Sequence, residues 1–332
     1  MTARSALLAS ALLGAVACGL AAWWIFGAPE PAPVQRSAVG IDDLQMLAAV
    51  TDGATAAPAG DLLVAGPEGA YLARASDRTV LELPGAGGGP RTLARLDAPA
   101  RAMTLAGDTL WLTAREQIVR IPLDGREASV LSCGIGRPRA IAADARWVFV
   151  VDTEPGLRGL TRASAVVRVD ATSGETSVLG RAAGEVTNVA LDDTRVYWAD
   201  RLEGSILAAP KEGGEPRTLA TDRGLPGSIA VTGDALVWVE KRSESIWTMP
   251  KTGGTPEQLV QDFAGFSNVV FDGHDVCWSS EAAVDGAFRV LCARKGDAAP
   301  VTTAVPSIEG LATNGTRLLW EHGGRVERVS RP

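Results

Sequence analysis

The sequence has little of the chemistry on which most metal centres and hydrolases depend. It contains two histidines, His274 and His322, and four cysteines among 332 residues, too few for a multi-histidine metal site. No Walker loop, Gly-x-Ser-x-Gly elbow or HExxH pair occurs. The net charge is -7, and basic residues form no stripe, which argues against a nucleic-acid partner. We therefore expect no metal, no cofactor and no nucleic-acid ligand, and we nominate no catalytic residue.

Long apolar runs are also scarce, and the one that is present stands at the N-terminus. Residues 5–27 form a run of 23 uncharged residues, which meets the roughly 20 needed to cross a bilayer and exceeds the ~7–15 of a signal peptide. Arg4 precedes the run and the next basic residue is Arg36, so the positive-inside rule predicts a cytoplasmic N-terminus.

This pattern predicts a membrane anchor over residues 1–27, followed by a Pro-rich linker over 28–42. The remainder would then lie in the periplasm or outside the cell, anchored to the inner membrane. A lipoprotein signal ending at Cys18 and cleavage to a secreted protein are the alternatives.

The rest of the chain is built from a repeat of about 40 residues. Thirty-seven glycines and nineteen prolines are spread along it, as expected of many turns and short strands. The stretch 196–220 is echoed by 236–260, and seven units align on one column of bulky residues. The members of this column are Leu72, Leu112, Val150, Trp198, Trp238, Trp278 and Trp320.

Each unit divides into four strand-like pieces, which is the pattern of a propeller blade. We predict an all-β, seven-bladed β-propeller of four-stranded blades over residues 43–332, with six blades as the alternative. The last unit lacks its fourth strand, because the chain ends at Pro332. Residues 43–50 resemble the fourth strands of other units, so we expect them to close the last blade.

The segment DTRVYWADRLEGSI, residues 193–206, resembles the YWTD repeats of lipoprotein-receptor propellers and their bacterial NHL- and TolB-like relatives. The receptors of that family have six blades, so a seventh unit departs from it. The resemblance implies that the acidic position ending the second strand ties one repeat to the next by hydrogen bonds. That position is held here by Asp152, Asp200, Glu240, Ser280 and His322.

The same acids allow a functional interpretation, as a ring near the upper mouth of the channel. The third unit adds a second candidate, because its interval of 48 residues places the surplus in the loop 153–164. Arg158 and Arg162 of this loop are able to hold an anionic group. Asp152, Arg158, Arg162, Asp200 and Glu240 are therefore our candidate ligand-binding residues, with a structural or solvated role as the alternative.

Two cysteines fall on the second and third strands of one unit. A register that pairs Asp200 with Ser205 also pairs Tyr197 with Ala208, and this last pair aligns with Cys277 and Cys292. The two cysteines would then be cross-strand neighbours, and an oxidising compartment favours a disulfide between them. Two buried thiols are the alternative.

These observations favour a monomeric, membrane-anchored, extracytoplasmic module that binds a protein, peptide or glycan on its mouth face. One alternative is a propeller enzyme of the lyase, lactonase or sugar-dehydrogenase type that uses the central channel. Propeller lyases and lactonases carry His, Glu, Asn or Asp side chains around a metal in the central cavity. Here His274 and Glu281 should lie at opposite ends of their strand, which argues against such a site. The other alternative is a structural module of an envelope assembly.

Overall fold

The computed structural model describes residues 61–66, 69–84, 89–153, 163–261, 266–271, 275–281, 288–294, 301–305, 310–313, 317–322 and 325–330. The predicted anchor 1–27, the linker 28–42 and the closing strand 43–50 lie outside these ranges. Within them, no helix long and apolar enough to span a bilayer is found.

All regular structure in the described ranges consists of antiparallel strands in chain order, arranged in six sheets of four strands and one of three. Blade 1 contains β1 Leu62–Ala65, β2 Gly69–Ala73, β3 Thr79–Pro84 and β4 Arg91–Arg95. Blade 2 contains β5 Ala100–Ala106, β6 Thr109–Ala114, β7 Gln117–Pro122 and β8 Ser129–Cys133. Blade 3 contains β9 Pro138–Ala143, β10 Trp147–Thr153, β11 Ser164–Asp170 and β12 Thr176–Ala182.

The next three blades follow the same order. Blade 4 contains β13 Val186–Leu191, β14 Arg195–Asp200, β15 Ser205–Pro210 and β16 Arg217–Ala220. Blade 5 contains β17 Pro226–Thr232, β18 Ala235–Glu240, β19 Ser245–Pro250 and β20 Glu257–Val260. Blade 6 contains β21 Phe266–Phe271, β22 Asp275–Glu281, β23 Phe288–Arg294 and β24 Val301–Val305.

The last unit forms a three-stranded sheet of β25 Gly310–Thr313, β26 Arg317–His322 and β27 Arg325–Ser330. Its first strand, β25, contacts both β21 of blade 6 and β1 of blade 1. The first strands of all the sheets thus follow one another around a ring. The structure confirms the all-β propeller and shows six blades of four strands, with a three-stranded sheet beside them. Seven four-stranded blades were predicted, with six as the alternative.

The second strand of a blade is apolar on both faces because a neighbouring blade packs against each face. All six residues of β6 are buried, as are the last five of β14 and of β18. Such a strand has a continuous apolar sequence instead of an alternating one. Trp198 and Trp238, both 0% exposed, fill the space between adjacent blades.

The topology gives the ring two distinct faces. The loops from second to third strand, and from each blade to the next, open on one end of the ring, which we call the mouth face. The turns from first to second and from third to fourth strand open on the other end, which we call the turn face. The candidate site lies on the mouth face.

Candidate functional site on the mouth face

Asp200 ends β14 and binds the loop through which blade 3 continues into blade 4. Its carboxylate accepts a hydrogen bond from the backbone N–H of Gly184 in that loop, at 3.3 Å. It also accepts bonds from the N–H groups of Leu202 and Glu203, at 3.2 and 3.1 Å. The side chain therefore ties the start of blade 4 to its own second strand.

Glu240 and Asp152 do the same in blades 5 and 3. Glu240 accepts from Gly224 N at 3.1 Å, and it also accepts from Arg223 Nε at 2.6 Å. Asp152 accepts from Gly136 N at 3.2 Å and from Arg137 N at 2.6 Å.

These contacts favour the structural interpretation of the strand-end acids over the ligand-binding one. Asp200 and Glu240 are each only 3% exposed, and backbone N–H groups already occupy their carboxylates. The contacts give Asp200 and Glu240 a role in holding the blades together, and their assignment as ligand-binding residues stays a prediction. Asp152 is more exposed but engages the backbone in the same manner.

The backbone N–H of a glycine donates a hydrogen bond to each strand-end acid. This glycine recurs in the sequence, but the repeat alignment did not use it. Gly136, Gly184 and Gly224 each stand 16 residues before their acid. A Cβ at Gly184 would overlap Oδ1 of Asp200, and one at Gly224 would lie 3.1 Å from Oε2 of Glu240. The missing side chain lets the carboxylate approach the backbone N–H.

Nearer the channel, two arginines share one carboxylate. Arg139 Nη1 donates to Glu185 Oε1 at 2.6 Å, and Arg201 Nη1 lies 3.7 Å from Glu185 Oε2. Their side chains are between 13% and 22% exposed. This group joins blade 3 to blade 4 across the mouth face and carries one positive charge in excess.

Two further arginines stand beside this group. Arg101 is the second residue of β5, and Arg139 is the second residue of β9, the neighbouring first strand. Arg137 directly precedes β9 by one residue. The side chains of Arg101 and Arg137 are exposed and have no ion-pair partner in the described ranges. We call Arg101, Arg137, Arg139, Glu185 and Arg201 the rim cluster. The first four lie in or next to the start of a first strand, and Arg201 lies beside Glu185.

An exposed leucine adjoins the rim cluster. Leu202 follows Arg201, and its side chain is 48% exposed, although its backbone packs closely on Gly184. Arg242 takes the corresponding place in blade 5, where a Cβ on Gly224 would lie 3.2 Å from its own Cβ. Leu202 and Arg242 therefore hold equivalent positions on the mouth-face loops of adjacent blades.

Arg223 has a different surrounding. Its guanidinium lies 4.3 Å from the ring centroid of Trp247 and pairs with Glu240, leaving 15% of the side chain exposed. Stacking on the ring and pairing with a carboxylate fix it in place. It completes the arginine-rich surface of blades 2 to 5.

Some predicted residues lie outside the described ranges. Arg158 and Arg162 belong to the segment 154–162, and His274 to the segment 272–274. In the part of the chain that the structure describes, no group of three or more His, Cys, Asp or Glu side chains is arranged to hold a metal ion.

Cys277 and Cys292 are direct cross-strand partners on β22 and β23 and form a disulfide. The register from which the pair was expected is also present, because Asp200 pairs with Ser205 and Tyr197 with Ala208.

The rim cluster is the part of the site that the sequence interpretation missed. Arg101 and Arg139 occupy the same repeat position, 11 residues before Leu112 and Val150 of the aligned column. That coincidence was visible in the sequence. The sharing of Glu185 by Arg139 and Arg201, a residue of another blade's loop, was not visible there.

Comparison with known proteins places the chain among the β-propellers. No protein-family model and no curated protein matches the sequence. Streptogramin B lyase is similar in structure, with a TM-score of 0.59 and 13% identity, covering 87% of this chain and 94% of that one. YCF48 bound to D1 peptide also gives 0.59 and 13%, covering 93% and 100%.

Oligogalacturonate lyase in complex with manganese gives a TM-score of 0.58 and 12% identity, covering 86% of this chain and 95% of that one. At these identities the likeness concerns the fold. The fold defines the chain as a β-propeller, and its repeats resemble the YWTD pattern. The structures similar to it include two lyases and one protein bound to a peptide.

Proposed function

We propose that this protein is a membrane-anchored, extracytoplasmic β-propeller that binds a protein or peptide on its mouth face. The observation that carries the proposal is the rim cluster with Leu202 beside it. Exposed arginines and an exposed leucine on a rigid scaffold are typical of a protein-binding surface. YCF48, a neighbour in fold, is a propeller in complex with a peptide.

A glycan on the same face and a lyase-type reaction in the channel are the competing functions. A lyase function is supported by the similarity of the fold to two lyases. Binding of a protein or peptide is supported by the rim cluster and Leu202 on this chain, and we prefer it for that reason.

We further propose that residues 43–50 pair with β27 and complete a seventh four-stranded blade. The exposed edge of β27 would otherwise offer unpaired backbone groups to other chains. β25 stands between β21 and β1, so the ring has a seventh position that a completed sheet would fill. The protein would then be a seven-bladed monomer.

The same closure would orient the molecule on the membrane. Strands alternate in direction within a blade, so a fourth strand next to β27 would begin at the turn face and end at the mouth face. The linker 28–42 and the anchor 1–27 would therefore join the turn face. The mouth face would point away from the bilayer, towards partners in the periplasm or outside the cell.

Photocross-linking in cells tests the proposed function. A photoreactive phenylalanine analogue at Leu202 should capture a protein partner, because this side chain lies on the mouth face. The matched control is the same analogue at Val178, which is 50% exposed on the fourth strand of blade 3. Equal capture at both positions, or none at Leu202 together with turnover of a small substrate, would contradict the proposal.

A further inference from the structure

The mouth face carries arginines at the starts of two neighbouring first strands, β5 and β9. The positive residues Arg101, Arg137 and Arg139 lie at the starts of first strands, which surround the channel. Glu203 and Glu244 stand just before the third strands of blades 4 and 5, and so lie further out. At the starts of β5 and β9, a ligand that approaches the channel entrance therefore meets exposed arginines.

Within the rim cluster the structure already shows what those arginines bind. Glu185 holds Arg139 at 2.6 Å and Arg201 at 3.7 Å, as the carboxylate of a ligand would. Guanidinium groups match carboxylates in shape and charge. Arg101 and Arg137 have no such partner in the described ranges, so two arginines of the rim are open to carboxylates from outside.

Leu202 decides which class of anionic ligand fits. Its half-exposed side chain follows Arg201 directly, and Arg201 lies on the same carboxylate as Arg139. A ligand that extends from Arg101 and Arg137 across this group therefore reaches an apolar contact. An acidic peptide segment with an apolar residue supplies both contacts. An acidic polysaccharide supplies the charge but has no apolar side chain to bury.

We infer that the rim cluster and Leu202 recognise an acidic peptide segment that carries a leucine-like side chain beside its carboxylates. This inference rests on the proposed mouth-face binding function and specifies its partner's chemistry. Arg101 and Arg137 receive the carboxylates, and Leu202 receives the apolar side chain. Glu185 opposes the ligand, because its carboxylate already holds Arg139 and Arg201 within the rim cluster.

The test uses the full-length protein and three short synthetic peptides that carry a fluorescent label. The first alternates Glu and Leu, the second replaces Glu by Gln, and the third replaces Leu by Ser. Fluorescence anisotropy should show the first peptide binding about tenfold more tightly than either of the others. Its affinity should fall as salt rises from about 50 to about 300 mM, since exposed charges are screened.

Three variants locate the binding. The double variant R101Q/R137Q should weaken binding of the Glu–Leu peptide about tenfold, with unchanged thermal unfolding, because neither side chain has a described partner. E185Q should strengthen it about threefold, a gain that lost structure would not produce. R126Q is the control, since Arg126 is exposed on the turn face and pairs there with Asp124.

Equal affinity for the Gln peptide, tighter binding of heparin than of the acidic peptide, or an equal loss in R126Q would overturn the inference. The proposed function fails separately. If cross-linking at Leu202 captures a partner while these peptides show no acidic preference, mouth-face binding stands and the acidic class is wrong.

Discussion

At the scale of single residues, Tyr197 and Trp198 pack against opposite neighbours. Trp198 lies in the apolar cluster between blades 3 and 4, and Tyr197 lies in the cluster between blades 4 and 5. Adjacent residues of a strand point to opposite faces of the sheet, so one dipeptide seals both sides of its blade. Both side chains therefore belong to the hydrophobic core, as the recurrence of bulky residues at this place in the repeat indicated.

The glycines beside the strand-end acids predict that the same Gly-to-Ala substitution will change stability by different amounts in different blades. Gly184→Ala should destabilise the protein by about 2 kcal/mol, because the added Cβ would displace the Asp200 carboxylate. Gly136→Ala should stay within about 0.5 kcal/mol, since its Cβ would lie 3.4 Å from Oδ1 of Asp152. Urea unfolding of both variants measures the difference, and equal effects would contradict the close approach at Gly184.

The lowered pKa of Asp192 predicts how the free energy of unfolding depends on pH. Its pKa is lowered from 3.8 to about 2: burial raises it, but hydrogen bonds from the N–H groups of Thr194 and Arg195 and from the Tyr197 hydroxyl outweigh burial. The folded protein thus holds the ionised form more strongly than the unfolded chain does. That stabilisation is complete above about pH 4 and is lost as pH falls towards 2.

We expect Asp192→Asn to be less stable than the parent at neutral pH and to lose less stability between pH 4 and pH 2. Thermal unfolding across this range checks it. Asp193→Asn is the matched control, because Asp193 is the exposed neighbour. If the two variants respond alike to acid, Asp192 is not the group that titrates.

At the scale of elements, the turns of one blade dock on the blade before it. The turn after β15 places Lys211 Nζ 2.6 Å from Asp144 Oδ2 of blade 3, with the lysine side chain 8% exposed. Arg168 of blade 3 donates to the Lys211 carbonyl at 2.9 Å and lies over the Trp147 ring at 4.3 Å. Charge and stacking therefore join the two blades on the turn face.

The next blade repeats this contact in a weaker form, which gives a matched pair of variants. Lys211→Met should cost about 2 kcal/mol, because it leaves Asp144 without its partner. Lys251→Met should cost no more than about 1 kcal/mol, since Lys251 is 29% exposed and 3.5 Å from Asp192. Denaturant unfolding of the two variants and of the Asp144→Asn/Lys211→Met double variant tests this. Equal losses for both lysines would contradict it.

At the scale of the whole molecule, the ring depends on how its last sheet is completed. If residues 43–50 supply the fourth strand, a variant beginning at residue 43 should unfold within a few degrees of one that keeps the linker. A variant beginning at residue 51 should unfold several degrees lower and aggregate, since the β27 edge is exposed. Differential scanning calorimetry and light scattering provide the comparison. Identical behaviour of the two variants would exclude the closure.

Much of the fold was predictable because the repeat is local. The column from Leu72 to Trp320 falls on the second strand of every sheet, and the strand register around Tyr197 is as expected. Packing on both faces forces the same apolar run in each unit. The number of complete blades was harder to predict from the sequence, because closing a ring joins residues far apart in the chain.

The sequence by itself determined the repeat, the four-strand unit and the apolar second strands, since each depends on neighbours within about 40 residues. Only the tertiary structure decided which charged groups are available. The sequence left Asp200 and Glu240 with a ligand-binding and a structural interpretation, and the structure shows both carboxylates buried against backbone N–H groups of the loops that enter their blades. Arg101, Arg139 and Arg201 come from three blades, and only the curvature of the ring brings them to one rim.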